Sequence, residues 1–163
     1  MSELSFGLFD CDNHIYEPPD AGTRYLPADH LDRAITPVTL ADGKVALLAG
    51  DRLVTSLDHE LDKAHAPGSL REVLRQMRSG NPDVRYELED LRPEWLERAP
   101  RLALMDQQGV ESAIMYPGGI GLLAEAYVRG VDSLYVNLHA YNRWNDETWG
   151  FDYQHRIYAP AVL

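Results

Sequence analysis

LRPEWLERAPRLALMDQQGVESAIMYPGG, residues 91 to 119, carries the fold in one continuous run. Pro93 suits a first helical turn, where a missing N–H costs nothing, and Leu102 and Met105 begin an apolar helical face. Gly109 suits a C-terminal cap because it adopts positive φ without a Cβ penalty. From Val110 to Tyr116 the pattern becomes a short apolar run of strand length, the mark of a buried strand. A helix therefore feeds a strand. The pattern recurs downstream, with a short helix expected near Leu122 to Arg129, a longer one from Val131 to Thr148, and a strand from Arg156 to Leu163. Buried strands alternating with helices imply right-handed crossovers, a parallel sheet and the α/β class.

Upstream, Leu4 to Asp12 is the first strand candidate, its apolar density suggesting burial on both faces. Residues 27 to 92 differ. VTLADGKVALLAGDRLVTSL holds three short strand-like runs separated by Asp42-Gly43 and Gly50-Asp51, each a turn signal, which reads as an antiparallel meander. Ser69-Leu70-Arg71-Glu72 has the spacing of a capping box opening a helix to about Arg78.

Composition limits the possible functions. The 163 residues are 45% hydrophobic and 25% charged, the balance of one soluble domain or a part of one. Against 15 basic residues stand 26 acids, a net charge of −11 that repels phosphate backbones and anionic membranes. Neither nucleic acid nor membrane is an expected partner. Cys11 is the single cysteine, so an intrachain disulfide and a cysteine-based zinc site are both excluded, and a reducing, cytoplasmic setting fits. PGGIG, residues 117 to 121, lacks the G-x-G-x-x-G register of dinucleotide binding, and its glycines instead suit a tight turn or a close approach to substrate.

Polar residues cluster in FDCDNHIYEPPD, residues 9 to 20. Side chains alternate along a strand, so Leu8, Asp10, Asp12 and His14 share one face, with Cys11 on the other. That separation excludes a Cys11–His14 nucleophile and base. The carboxyl ends of parallel strands are where ligands bind, and Asp12-x-His14 there offers an oxygen and a nitrogen to one point, a set suited to zinc. A polar loop and a helix cap compete with half of a metal site. Glu17 and Arg24 follow closely and are candidates to contact a small-molecule substrate, Arg24 by the bidentate fork that matches a carboxylate. His59, Glu60 and His65 lack the spacing of H-E-x-x-H and read as solvated. His139 reads as a structural histidine among helix core residues, and Trp144 and Trp149 as packing.

Three ordered blocks, DCDNHIYEPPDAGTRYL, LALMDQQGVESAIMYP and YNRWNDETWGFDYQHRIYAPAVL, together resemble the N-terminal part of the amidohydrolase-related family. These are metal-dependent TIM-barrel hydrolases and decarboxylases, including aminocarboxymuconate semialdehyde decarboxylase-like enzymes. The resemblance implies an α/β fold: the N-terminal part of a (β/α)8 barrel, incomplete here, with a small antiparallel β insertion after the first strand. It assigns Asp12 and His14 as ligands of a divalent metal, zinc or manganese, whose Lewis acidity would activate a water or substrate oxygen for hydrolysis or non-oxidative decarboxylation. The family's further ligands, a histidine near strand five and an aspartate near strand eight, would lie beyond Leu163.

Residues 1–163 then form one partial barrel domain, a fragment expected to be inactive alone. The roughly 95 residues between His14 and Val110 far exceed an ordinary connection of about 2–6 residues on each side of one helix. An insertion over residues 27–80 is expected to act as a lid, an oligomer contact or a peripheral decoration. An open three-stranded parallel sheet exposes an edge and apolar faces that invite homo-oligomerisation. The alternative to an enzyme part is a non-catalytic remnant or interaction domain derived from one.

Overall fold

A computed structural model describes residues 6–54, 63–81 and 87–163. Its main sheet has the order β1-β7-β8, where β1 is Leu8–His14, β7 is Val110–Tyr116 and β8 is Ile157–Tyr158, all parallel. Between β1 and β7 the chain forms β2 (Ile35–Thr39), β3 (Val45–Ala49) and β4 (Arg52–Leu53), an antiparallel meander in the order β2-β3-β4 as the turn signals require. A second antiparallel pair joins β5 (Lys63–His65) to β6 (Leu88–Asp90), with α1 (Ser69–Arg78) between them.

The helix read upstream of β7 is two helices. Pro93 opens α2 (Pro93–Leu96), Glu97 is extended at φ −139°, and α3 (Arg98–Gln108) follows, ended by Gly109 at φ 70°. After β7 come α4 (Gly119–Tyr127), starting three residues earlier than expected, and α5 (Val131–Thr148), at the expected bounds. The core lies between the sheet and α5: Ala113 and Met115 alternate inward from β7 and meet Met105, Tyr141, Trp144, Trp149 and Ile157. Trp144 and Trp149 are completely buried. Arg156 ties β8 to β7, its guanidinium donating to the carbonyls of Glu111 and Val110 at 2.8 and 3.0 Å and to Asp106 Oδ1 at 2.7 Å.

Several local expectations are corrected. Only Ile157–Tyr158 of the third strand candidate pairs as strand, and the part of the first candidate before Phe6 lies outside the described residues. β1 is not buried on both faces: Leu8 and Phe9 are 37% and 56% exposed, because β1 is a sheet edge paired to β7 alone. The capping box does not form, since Gly68 occupies the N-cap and Ser69 is already helical. Glu72 instead accepts from Arg75 and Gln76.

The meander packs on α4, and the turn before β2 is pinned to α5 by Arg33 donating to Ser133 Oγ at 2.9 Å and Asn137 Nδ2 to the Arg33 carbonyl at 3.1 Å. The β5–β6 pair lies beside the segment that leaves β1, where the Tyr16 hydroxyl hydrogen-bonds the His65 backbone and the Tyr16 ring stacks near Trp95 at 5.7 Å. His65 is therefore half-buried in a strand rather than solvated. His59 and Glu60 lie outside the described residues. His139 is exposed beside Tyr135, because the buried stripe of α5 runs through Ser133, Asn137, Tyr141, Trp144 and Asn145.

Candidate metal site

Asp12 and His14 close β1 at its carboxyl end. The strand does not alternate evenly up to them: Asp10 pairs with Ala113 but Asn13 pairs with Met115, so three steps on β1 face two on β7. A bulge absorbs the extra residue, and bulges of this kind re-aim side chains. Asp10 holds it, its Oδ1 accepting from the Asp12 N–H at 3.1 Å and its Oδ2 from Asn13 Nδ2. Nearby is Arg101 of α3, 7% exposed, with Glu94 and Asp10 as balancing charges; burial pulls the guanidinium's pKa down and the two acids oppose that. Asp10 therefore serves the bulge.

Within the bulge, Asp12 Oδ1 lies 3.9 Å from Nε2 of His14 just past it, and both side chains are open to solvent. His14 Nδ1 lies 3.3 Å from the Pro117 carbonyl oxygen. A carbonyl only accepts, so this contact is a hydrogen bond when Nδ1 carries the proton, and the Nε2 lone pair then faces Asp12. Zinc–nitrogen and zinc–oxygen bonds of about 2.0–2.2 Å at a tetrahedral angle set two ligands of one ion about 3.4 Å apart. The 3.9 Å separation exceeds that by about half an ångström, which a rotation of the exposed Asp12 side chain would close, and the chemistry of the pair, one carboxylate oxygen and one imidazole nitrogen beside a backbone carbonyl, fits a divalent transition metal. Among the described residues no third histidine, cysteine or acid joins them.

Glu17 and Arg24 take other places. Arg24 donates from Nε and Nη2 to Asp20 at 2.9 and 3.2 Å and approaches Glu147 of α5 at 4.0 Å. Glu17 turns its carboxyl inward: Oε1 accepts from the Tyr141 hydroxyl at 3.0 Å and the Gly121 N–H at 3.4 Å, and the Ile120 N–H is also directed at it. Loss of water there outweighs these bonds and pushes its pKa from 4.5 up to about 7. Burial pushes the Tyr141 hydroxyl up as well, and the adjacent Glu17 adds to the effect. Gly118 permits this packing, since a Cβ there would lie 2.3 Å from Glu17 Oε2 and 2.5 Å from the Ile15 carbonyl oxygen.

Pro117 and Tyr141 are the participants that sequence reasoning missed. The glycines of residues 117–121 signalled a close approach without naming its partner, and an aromatic on a helix face reads as core.

Parallel strands joined by helices, with a carboxylate–imidazole pair at the end of the first strand, define an α/β protein. No protein-family model matches the chain. No curated protein matches it either. Among solved structures the chain is similar to an amidohydrolase from Mycobacterium avium subsp. paratuberculosis K-10, with a TM-score of 0.78 and 31% identity over 98% of this chain. The chain spans 43% of that protein's length. This likeness supports an amidohydrolase-related fold and a relationship to that group of enzymes. No described helix is long and apolar enough to cross a membrane.

Proposed function

We propose that the chain forms the first three strands of a (β/α)8 barrel and carries two metal ligands, Asp12 and His14, of a metal-dependent hydrolase or non-oxidative decarboxylase acting on a small carboxylic-acid-type substrate in the cytoplasm. The observation that carries this reading is the 3.9 Å approach of Asp12 Oδ1 to His14 Nε2 with Nδ1 committed to Pro117. The 31% identical amidohydrolase supports it. A bound zinc or manganese ion would supply Lewis acidity toward a water or substrate oxygen. Asp12 contributes negative charge and one oxygen, and His14 a neutral nitrogen whose direction Pro117 sets. The β5–β6 pair, which touches Tyr16 two residues after His14, acts as part of a cover over the site. The remaining ligands and the acid–base groups lie outside the described residues in this reading, so the chain alone binds metal without turning substrate over.

Isothermal titration with zinc tests the proposal. The parent chain is expected to bind with a dissociation constant of roughly micromolar or weaker, about −8 kcal/mol or less favourable. Asp12→Ala and His14→Ala abolish binding, and His65→Ala leaves it intact. Binding that survives His14→Ala refutes the assignment.

A further inference from the structure

Glu17 forms a connection between α5 and His14 that the two-ligand reading does not use. Each link is a separate contact. Tyr141, in the middle of α5, donates to Glu17 Oε1 at 3.0 Å, and the N–H groups of Ile120 and Gly121 at the start of α4 point at the same carboxyl. Gly118 has no side chain of its own to separate the loop from Glu17 Oε2 or from Ile15. The Ile15 N–H donates to the Tyr116 carbonyl at 2.8 Å, which brings the exit of β1 against the exit of β7. Pro117, next in the loop, sets its carbonyl oxygen 3.3 Å from His14 Nδ1.

We propose that Glu17 is a positioning residue for His14: by clamping the start of α4 and the Pro117–Gly121 loop to α5, it holds the Pro117 carbonyl where it keeps the His14 proton on Nδ1 and the Nε2 lone pair toward Asp12. The proposal rests on the reading of Asp12 and His14 as metal ligands. The stretch from Pro117 into the first turn of α4 needs such a clamp, because three of its five residues are glycines, Gly118, Gly119 and Gly121, and glycine backbone is soft. The first N–H groups of α4 need an acceptor, since its own N-cap residue, Gly118, offers no side chain. Glu17 supplies both needs from another strand exit. A carboxyl engaged in this way is not available as a substrate handle. Orienting contacts behind a metal-ligating histidine are worth about 10–100-fold in metal affinity when removed.

The test is the tautomer of His14, read from ring nitrogen shifts of histidine-labelled chain at about pH 8.5, where imidazoles of ordinary pKa near ~6.5 are neutral. The His14 signal is assigned by its loss in His14→Ala. In the parent His14 is expected as the Nδ1–H form. Glu17→Ala is expected to raise the Nε2–H population and to weaken zinc binding about tenfold or more. Glu17→Gln keeps an acceptor oxygen in the same place and leaves both readouts at the parent's values. Asn142→Ala, which removes a pair of α5 contacts to Val162 at 2.7 and 2.8 Å, loosens the helix elsewhere and leaves the tautomer unchanged.

A folded Glu17→Ala chain with the parent tautomer overturns the proposal, and so does an Asn142→Ala chain that shifts it equally. Should Glu17→Ala not fold, Tyr141→Phe, which removes one donor and keeps the ring, is expected to shift the tautomer the same way to a smaller extent; no shift overturns the proposal. The tautomer needs no metal, so failure of the parent to bind zinc would count against the ligand assignment alone.

Discussion

Replacing Glu17 with glutamine should remove a pH dependence from the stability of the chain. Folding raises the Glu17 pKa from 4.5 to about 7, chiefly because its carboxyl gives up water for the interior beside Tyr141. The sign follows from proton counting. Between those two values the folded chain retains a proton that the unfolded chain has lost, so stability falls as pH rises through the window and is level above it. At about 1.4 kcal/mol for each tenfold difference in proton affinity, the whole effect is about 3 kcal/mol. Glutamine has the same shape, keeps an oxygen for Tyr141 and Gly121, and does not titrate. The difference in unfolding free energy between Glu17→Gln and the parent should therefore grow with pH across the window and stay constant beyond it. Asp20, Asp90 and Glu72, whose partners Arg24, Lys63 and Arg75 hold their carboxyls below the usual range, titrate at lower pH in both proteins and cancel in the difference. Urea unfolding followed by fluorescence of the buried Trp144 and Trp149 measures it. A difference that does not change between about pH 4.5 and about pH 7 refutes the burial of an ionisable carboxyl as its cause.

Two further substitutions probe the same framework. Gly118→Ala sets a methyl 2.5 Å from a backbone oxygen that cannot rotate away, and at φ −83° the cost is the contact and not the backbone conformation. It should destabilise by about 1–3 kcal/mol, a fall in melting temperature of roughly 2–12 °C by calorimetry, and an unchanged melting temperature contradicts the packing. Ser69→Ala should cost less than about 0.5 kcal/mol by urea unfolding, because the hydroxyl makes no cap bond; a loss of about 1 kcal/mol or more would show that the capping box forms after all.

The legible parts of the fold are those whose cause is local. Asp42-Gly43 and Gly50-Asp51 sit at the two turns of the meander, Gly109 caps α3 in the left-handed region, and α5 has the bounds its apolar period predicts. The proximity of Asp12 and His14 was readable from their two-residue spacing at the strand end, whereas the alternation expected to set Asp10 with them is broken by the bulge. Less readable were features set by distant partners. The apolar density before Asp10 says nothing of whether β1 is an edge, and a bulge depends on the register with β7. Glu17 meets Tyr141 across 124 residues, a contact that no periodicity encodes. The break at Glu97 was hidden for another reason: Pro93 and Gly109 mark the two ends of a helical stretch equally well whether it is one helix or two.

The central claim is that Asp12 and His14 bind one metal ion. Anomalous X-ray scattering at the zinc edge from crystals of the chain grown with zinc tests it most directly. A peak is expected about 2.0–2.2 Å from both Asp12 Oδ1 and His14 Nε2. A second exposed carboxylate–imidazole pair, His155 with Asp152 at 2.8 Å, serves as the internal competitor. A peak on His155, with none between Asp12 and His14, would contradict the assignment and return residues 10–14 to the reading of a polar loop.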